Sequence, residues 1–215
     1  MAKNKELIIN SDYDYYALKM PICFASNNSP ACFWDYTMLR NCEWQVAYGD
    51  DKTEFSDFVD FMCIAVRKNN IPDEKNDFIF YNNLSSENKG ITLRGDAIGC
   101  ACPPDDEIFF DFENVDQEVE RIDILISLFE AEKNKIDFSP ITKMRVRIEG
   151  DKDDLFYGQT SEHVFQYDYA EFPTDNVVVK IGSFFKKEIG WKYEPVIEKL
   201  NGNIIETLKS YGFNV

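Results

Sequence analysis

Nine acidic residues fall between Asp96 and Glu120, and no lysine or arginine interrupts them. Within that stretch, RGDAIGCACPPDDEIFFDFENVDQEVE, the consecutive Asp105, Asp106 and Glu107 follow a loop carrying Gly99, Pro103 and Pro104 and lead into a strand-like run. Carboxylates at a loop-to-strand junction can converge with backbone carbonyls into a set of hard oxygen ligands, which is the chemistry of a calcium site. Magnesium suits such a set less well, because it demands tighter octahedral geometry and keeps several of its waters. Solvent alone can also carry this density of charge, so the residues by themselves leave both readings open.

Other constellations have plainer readings. Cys100-Ala101-Cys102 places two thiols together, but a zinc site needs two further ligands that the neighbouring sequence does not supply. His163, the single histidine, is flanked by Glu162 and Val164 and has no motif around it that would complete a nucleophile-base pair. Neither G-x-G-x-x-G nor G-x-x-x-x-G-K follows a strand-like run, so no phosphate loop is expected. Phe184, Phe185 and Trp191 read as core side chains rather than a stacking platform. The expectation is a protein that acts by binding and is not an enzyme.

The elements that must position these residues are mostly strands. Ile122, Ile124, Ile126 and Leu128 occupy alternate positions, and Met144, Val146 and Ile148 alternate with Arg145 and Arg147, the period-two pattern of half-buried antiparallel strands. Phe165, Tyr167 and Tyr169 repeat it. Further strand-like runs lie at 58–66, 78–81, 107–112 and 177–185, with turn signals between them and no crossover helices for a parallel sheet. The predicted fold is all-β, a two-sheet β-sandwich with a short C-terminal helix. Asn203 caps that helix, Glu206 sits at the capping-box position, Ile204, Ile205, Leu208 and Tyr211 share a face, and Gly212 ends it. Residues 1–43 are less regular, and both edge strands and an ordered extension fit them.

With 39 acidic against 23 basic residues the chain carries a net charge of -16, and no basic stripe offsets it locally. That charge repels phosphate backbones and anionic membrane surfaces, so nucleic acid is not an expected partner. The N-terminus lacks a signal-peptide core and no apolar run is long enough to span a bilayer, so a cytoplasmic protein without membrane insertion is expected. The six irregularly spaced cysteines then read as reduced thiols, with Cys63 as core packing. At 215 residues one domain over 1–215 is the expectation.

The segment DFIFYNNLSSENKGITLRGD, residues 77–96, resembles the TerD family of tellurium-resistance and stress proteins, in which a strand ending F-Y-N-N leads through a polar turn and a short strand to Gly-Asp. The family signature that opens there is similar to G-D-N-x-T-G-x-G-D-G-D-D-E, and Gly95, Asp96, Asp105, Asp106 and Glu107 match it at the same spacing. The middle departs: Ala97 stands where the family has Asn, Gly99 where it has Thr, Cys100 and Cys102 where it has Gly, and Pro103-Pro104 where it has Asp-Gly. Val59-Asp60 is similar to the Leu-Asp of an early family strand, which makes Asp60 a further candidate carboxylate. Trp44, the run Val119 to Glu132, YDYAEF at 167–172, GWKYEPV at 190–196 and the terminal YGFNV extend the resemblance from about residue 44 to the C-terminus.

The resemblance implies a β-sandwich whose acidic loops bind calcium, here through Asp60, Asp96, Asp105, Asp106 and Glu107. It also implies tellurium resistance and stress response, with other tellurium-resistance or membrane-associated stress proteins as partners. Loss of the family Asp at Pro103 removes a charge, and loss of Asn at Ala97 removes an oxygen donor, so the expected site is a weakened one. The alternative is a metal-free protein-interaction module on the same scaffold, with the diverged loop and the N-terminal segment as its binding surface.

Overall fold

Alternation in residues 119–128 sets the centre of the fold. Ile122, Ile124 and Ile126 are 0% exposed on one face of this strand, while Asp123, Leu125 and Ser127 on the other face are also buried. A strand covered on both faces belongs in the middle of a sheet with a layer on each side. The computed structural model describes residues 7–9, 15–19, 22–24, 59–94, 107–128, 130–138, 141–152, 160–169, 173, 175–188 and 190–215.

In chain order the described strands are β1 (Leu7–Ile9), β2 (Tyr15–Lys19), β3 (Ile22–Phe24), β4 (Val59–Arg67), β5 (Phe78–Ile79), β6 (Ile91–Arg94) and β7 (Glu107–Phe110). There follow β8 (Val119–Leu128), β9 (Ile141–Lys152), β10 (Thr160–Tyr169), β11 (Val178–Lys186) and β12 (Trp191–Lys199). Two helices complete the set, α1 (Ala131–Asn134) and α2 (Ile204–Ser210). Sheet A runs β1-β12-β11-β8-β4-β5 and sheet B runs β10-β9-β2-β7-β6, with β3 also paired to β9. Each pairing is antiparallel. The chain is therefore mainly strand, folded as two antiparallel sheets with a short C-terminal helix, as the alternation predicts.

Between the sheets, Phe61, Cys63 and Ala65 of β4 and Ile122, Ile124 and Ile126 of β8 meet Leu93, Ile108, Phe110, Val146 and Ile148 of sheet B. The aromatic side chains close this core: Phe110 packs on Phe184 at 4.7 Å between ring centroids, and Phe112 lies 5.2 Å from Trp191. Phe184 and Trp191 are thus core residues, as expected, whereas Phe185, on the alternate face of β11, is only half-buried and outside the core; Cys63 is wholly buried. Burial pushes the Cys63 thiol far up from its ordinary value, which keeps it protonated and unreactive.

A second, smaller cluster lies on the outer face of sheet A. Met62, Ile64, Leu125 and Val178 are covered there by Leu208 of α2 and by Phe213. The capping box forms as read from the sequence, with the Asn203 side chain accepting from the Ile205 and Glu206 amides and Glu206 accepting from the Asn203 amide at 3.1 Å. The buried stripe differs from the expected one: Thr207 and Leu208 face the sheet, whereas Ile205 is 49% exposed. Seven residues give two turns, and a stripe that narrow holds positions 204, 207, 208 and 211 rather than 205.

The described N-terminal strands β1, β2 and β3 pair into both sheets. Leu7 of β1 pairs with Tyr193 at the edge of sheet A. Leu18 of β2 pairs with Ile108 on one side and Ile148 on the other, so β2 is the strand that joins β7 to β9.

Candidate functional site

Strand direction decides which residues can share a site. At one end of the sandwich β4 finishes at Arg67, β8 begins at Val119, β6 begins at Ile91 and β7 finishes at Phe110. Contacts knit that end: a Cβ on Gly90 would lie 2.6 Å from the Val115 amide nitrogen, so only glycine fits where the turn before β6 meets the loop after β7. At the opposite end β4 begins next to Asp60 and β8 finishes at Leu128, while β6 leaves at Arg94 and β7 enters at Glu107. Arg94 and Glu107 are Cα partners, so both ends of segment 95–106 are tied together at that end.

Asp60 pairs with Ser127 in register and, by alternation with the inward Phe61 and Cys63, lies half-buried on the outer face of sheet A. Glu107 is the first residue of β7, opposite Lys19 as well as Arg94. Asp96, Asp105 and Asp106 lie outside the described residues, as do Cys100 and Cys102. Among the described residues no group of three or more His, Cys, Asp or Glu is disposed to hold a metal. The proposed donor set consists of carboxylates without thiol or imidazole, and hard oxygen donors of that kind fit calcium rather than zinc or copper. His163 lies on β10 just before a bulge in its pairing with β9.

The F-Y-N-N segment has a structural job. The Asn83 amide donates to the Phe78 carbonyl at 2.7 Å and to the Lys75 carbonyl at 2.9 Å, which closes the turn after β5. Asp77, which opens the same segment, is 1% exposed and receives Arg67 through two bonds, Nε to Oδ2 at 2.6 Å and Nη2 to Oδ1 at 3.0 Å. Arg67 also donates to Asp116 at 2.9 Å, so one guanidinium joins β4, the turn before β5 and the loop before β8. The Arg67 guanidinium is held above its ordinary value, first by its bond to Asp77. Burial raises the Asp77 carboxyl, with Arg67 opposing the rise. Asp73 and Asp116 are both held low, Asp73 chiefly by the Asn76 side chain and Asp116 chiefly by the Glu118 amide.

Strand β10 ends on Tyr169, whose hydroxyl donates to the Ile181 carbonyl at the bulge in β11. Tyr193 reaches the same carbonyl at 3.5 Å. Burial raises both phenols, so they stay neutral and act as donors. The adjacent Gly182 cannot carry a side chain, because a Cβ there would come within 2.6 Å of the Tyr193 ring.

Sequence alternation alone misses one polar cluster. Asp123 occupies the position between Ile122 and Ile124 that reads as solvent-facing, yet it is 0% exposed beneath α2. It accepts from Ser183 Oγ at 2.6 Å, Tyr211 Oη at 2.7 Å and Arg121 Nε at 3.1 Å. The available signal was the amphipathic C-terminal helix, which needs a face of the sheet to cover.

The TerD domain pattern matches residues 37–211. The chain is similar to the tellurium resistance protein TerD of Serratia marcescens, 25% identical over 178 residues that cover 82% of this chain and 89% of that protein. It is 26% identical over 141 residues to general stress protein 16U of Bacillus subtilis (strain 168), covering 65% of this chain and 69% of that one. The crystal structure of a homologue of the telluride resistance protein (TerD) from Streptomyces coelicolor A3(2) has the same fold, with a TM-score of 0.52 at 8% identity over 90% of this chain and 94% of that chain. With the pattern spanning most of its length and a fold shared with that homologue, the chain belongs to the TerD domain family.

Proposed function

We propose that this protein is a tellurium-resistance-type stress protein that acts by binding calcium rather than by catalysis, with Asp60, Asp96, Asp105, Asp106 and Glu107 as its ligands. The observation that supports the reading is strand direction: Asp60, the second residue of β4, and the Arg94–Glu107 pair that flanks segment 95–106 belong to the same end of the sandwich. Asp96 is two residues from Arg94 and Asp105 two residues from Glu107, and two residues of chain reach about 7 Å at most. Sequence distance alone keeps both carboxylates within that reach of the Arg94–Glu107 pair. Calcium bound there would tie the segment to the sheet edge. With Pro103 and Ala97 in place of two oxygen donors, the affinity expected is that of a weak site, with a Kd of about 10⁻⁴–10⁻³ M.

Family relatives named for tellurium resistance and for general stress support the biological role. Other tellurium-resistance or membrane-associated stress proteins are the proposed partners, in the cytoplasm. No helix among the described residues is long and apolar enough to cross a membrane.

Isothermal calorimetry of calcium into chelator-stripped protein tests the reading, alongside an Asp105→Ala, Asp106→Ala double variant. Saturable heat in the wild type that vanishes in the variant, together with a rise in melting temperature on adding calcium, is the expected result. Absence of both up to about 10 mM calcium sinks the calcium reading and leaves the metal-free interaction module.

A further inference from the structure

A cleft of about 590 Å³ opens on the outer face of sheet A beside the C-terminal end of α2. Arg121 of β8, Lys180 of β11 and Lys209 of α2 line it, and Glu198 of β12 is the one carboxylate among its described lining residues. For a chain of net charge -16 this is an inversion of the local sign. Arg67 also borders the cleft, but its guanidinium is engaged by Asp77 and Asp116.

The cationic groups are not equally engaged. Lys180 pairs with Glu198, whose side chain is 51% exposed. Lys209 makes no ion pair with any described residue. Arg121 meets Asp123 through its Nε edge alone, at 3.0 Å to Oδ1 and 3.1 Å to Oδ2. Asp123 is fixed in turn by Ser183 and Tyr211, so a wholly buried carboxylate with three donors holds Arg121 from behind. Both Nη groups of Arg121 remain without a partner among the described residues, on a side chain that is 38% exposed at the cleft. A guanidinium anchored by one edge and open along the other presents the planar fork that matches two oxygens of an oxyanion. Tyr211, whose Oη donates to Asp123, lines the cleft together with Arg121 and Glu198, which sets these groups together beside the helix end.

We propose that this cleft binds a small divalent oxyanion of the phosphate type, held bidentately by Arg121 and neutralised by Lys180 and Lys209, with Asp123 as the positioning residue. Glu198 competes with the anion for Lys180, so its charge opposes binding. The site is independent of the calcium reading and is tested with calcium removed.

The experiment is calorimetric titration of inorganic phosphate at pH 8 and fixed ionic strength, in the presence of a chelator, into the whole chain and into three variants. Saturable binding in the wild type is expected. Lys209→Ala, a change at an exposed helix position, should weaken it about three- to tenfold, the usual worth of one charge-assisted contact. Arg121→Gln should abolish it, with circular dichroism reporting whether that variant folds. Glu198→Gln should tighten binding, the opposite sign to any general loss of structure. No saturable heat up to about 20 mM phosphate overturns the proposal, and so does binding that both Lys209→Ala and Glu198→Gln leave unchanged.

Discussion

Replacing Arg67 with methionine tests the reasoning about the buried ion pair most directly. The substitution keeps an unbranched side chain of similar length in a position only 13% exposed, and removes the three donors that reach Asp77 and Asp116. Asp116 is 42% exposed and water can replace its lost partner, but Asp77 is 1% exposed and, among the described residues, its side chain retains only the Asp73 amide at 2.7 Å. A buried charge left without its counterion costs about 3–5 kcal/mol. The pH dependence follows from the carboxyl. Burial already raises Asp77, and Arg67 works against that rise, so its removal sends the carboxyl higher still. A carboxyl whose folded-state pKa exceeds its unfolded value of about 3.9 binds its proton more tightly when folded. Stability then falls as pH rises through the window between the two values, and the whole penalty is present above it. Urea unfolding of variant and wild type at pH 7 and pH 5 should give a larger difference at pH 7 than at pH 5. Adding Asp77→Leu to the same chain should recover most of the loss, because the orphaned charge is gone. A penalty below about 1 kcal/mol at pH 7, or one identical at the two pH values, would refute the account.

Tyr211→Phe removes one of three hydrogen bonds to the buried Asp123. By urea unfolding it should cost about 1.5–3 kcal/mol, the range for a hydrogen bond to a charged group. Asn203→Ala removes the cap that accepts from two amides of α2 and should cost about 1 kcal/mol. Amide exchange in α2 should speed up in that variant while exchange in β8 follows the global change alone.

Much of the fold was legible where one face of a strand meets the core. Period-two alternation located β8, β9 and β10, and strand-like composition bounded by turn signals located β11. The C-terminal helix was legible from Asn203 and Glu206, whose reciprocal bonds depend on local spacing alone. Alternation says which residues share a face, not whether another element covers it, and for that reason Asp123 reads as exposed although α2 buries it. Strands β1 and β2 are three and five residues long, too short to establish a period, and their places depend on partners far along the chain. The helix α1 escaped for a related reason: four residues between left-handed Glu130 and Lys135 form a single turn with no periodic signal. For the candidate site, spacing supplied the carboxylates, while strand direction puts the start of β4 and the Arg94–Glu107 pair at the same end of the sandwich.

The position of β2 has a consequence for how the molecule comes into being. Strands β7 and β9 do not pair with each other; β2, made long before either, is what joins them. Strand β1 likewise waits for β12, nearly the whole chain away. Sheet B cannot assemble until the segment beyond residue 141 has been synthesised, and the edge of sheet A is completed only by the penultimate element. Until then the first strands carry unpaired edges, and folding must proceed through contacts of long sequence separation, which are slow to form. A chain trimmed to the family-matching region 37–211 would begin after the described strands β1, β2 and β3 and would leave the described part of sheet B as two separate hairpins.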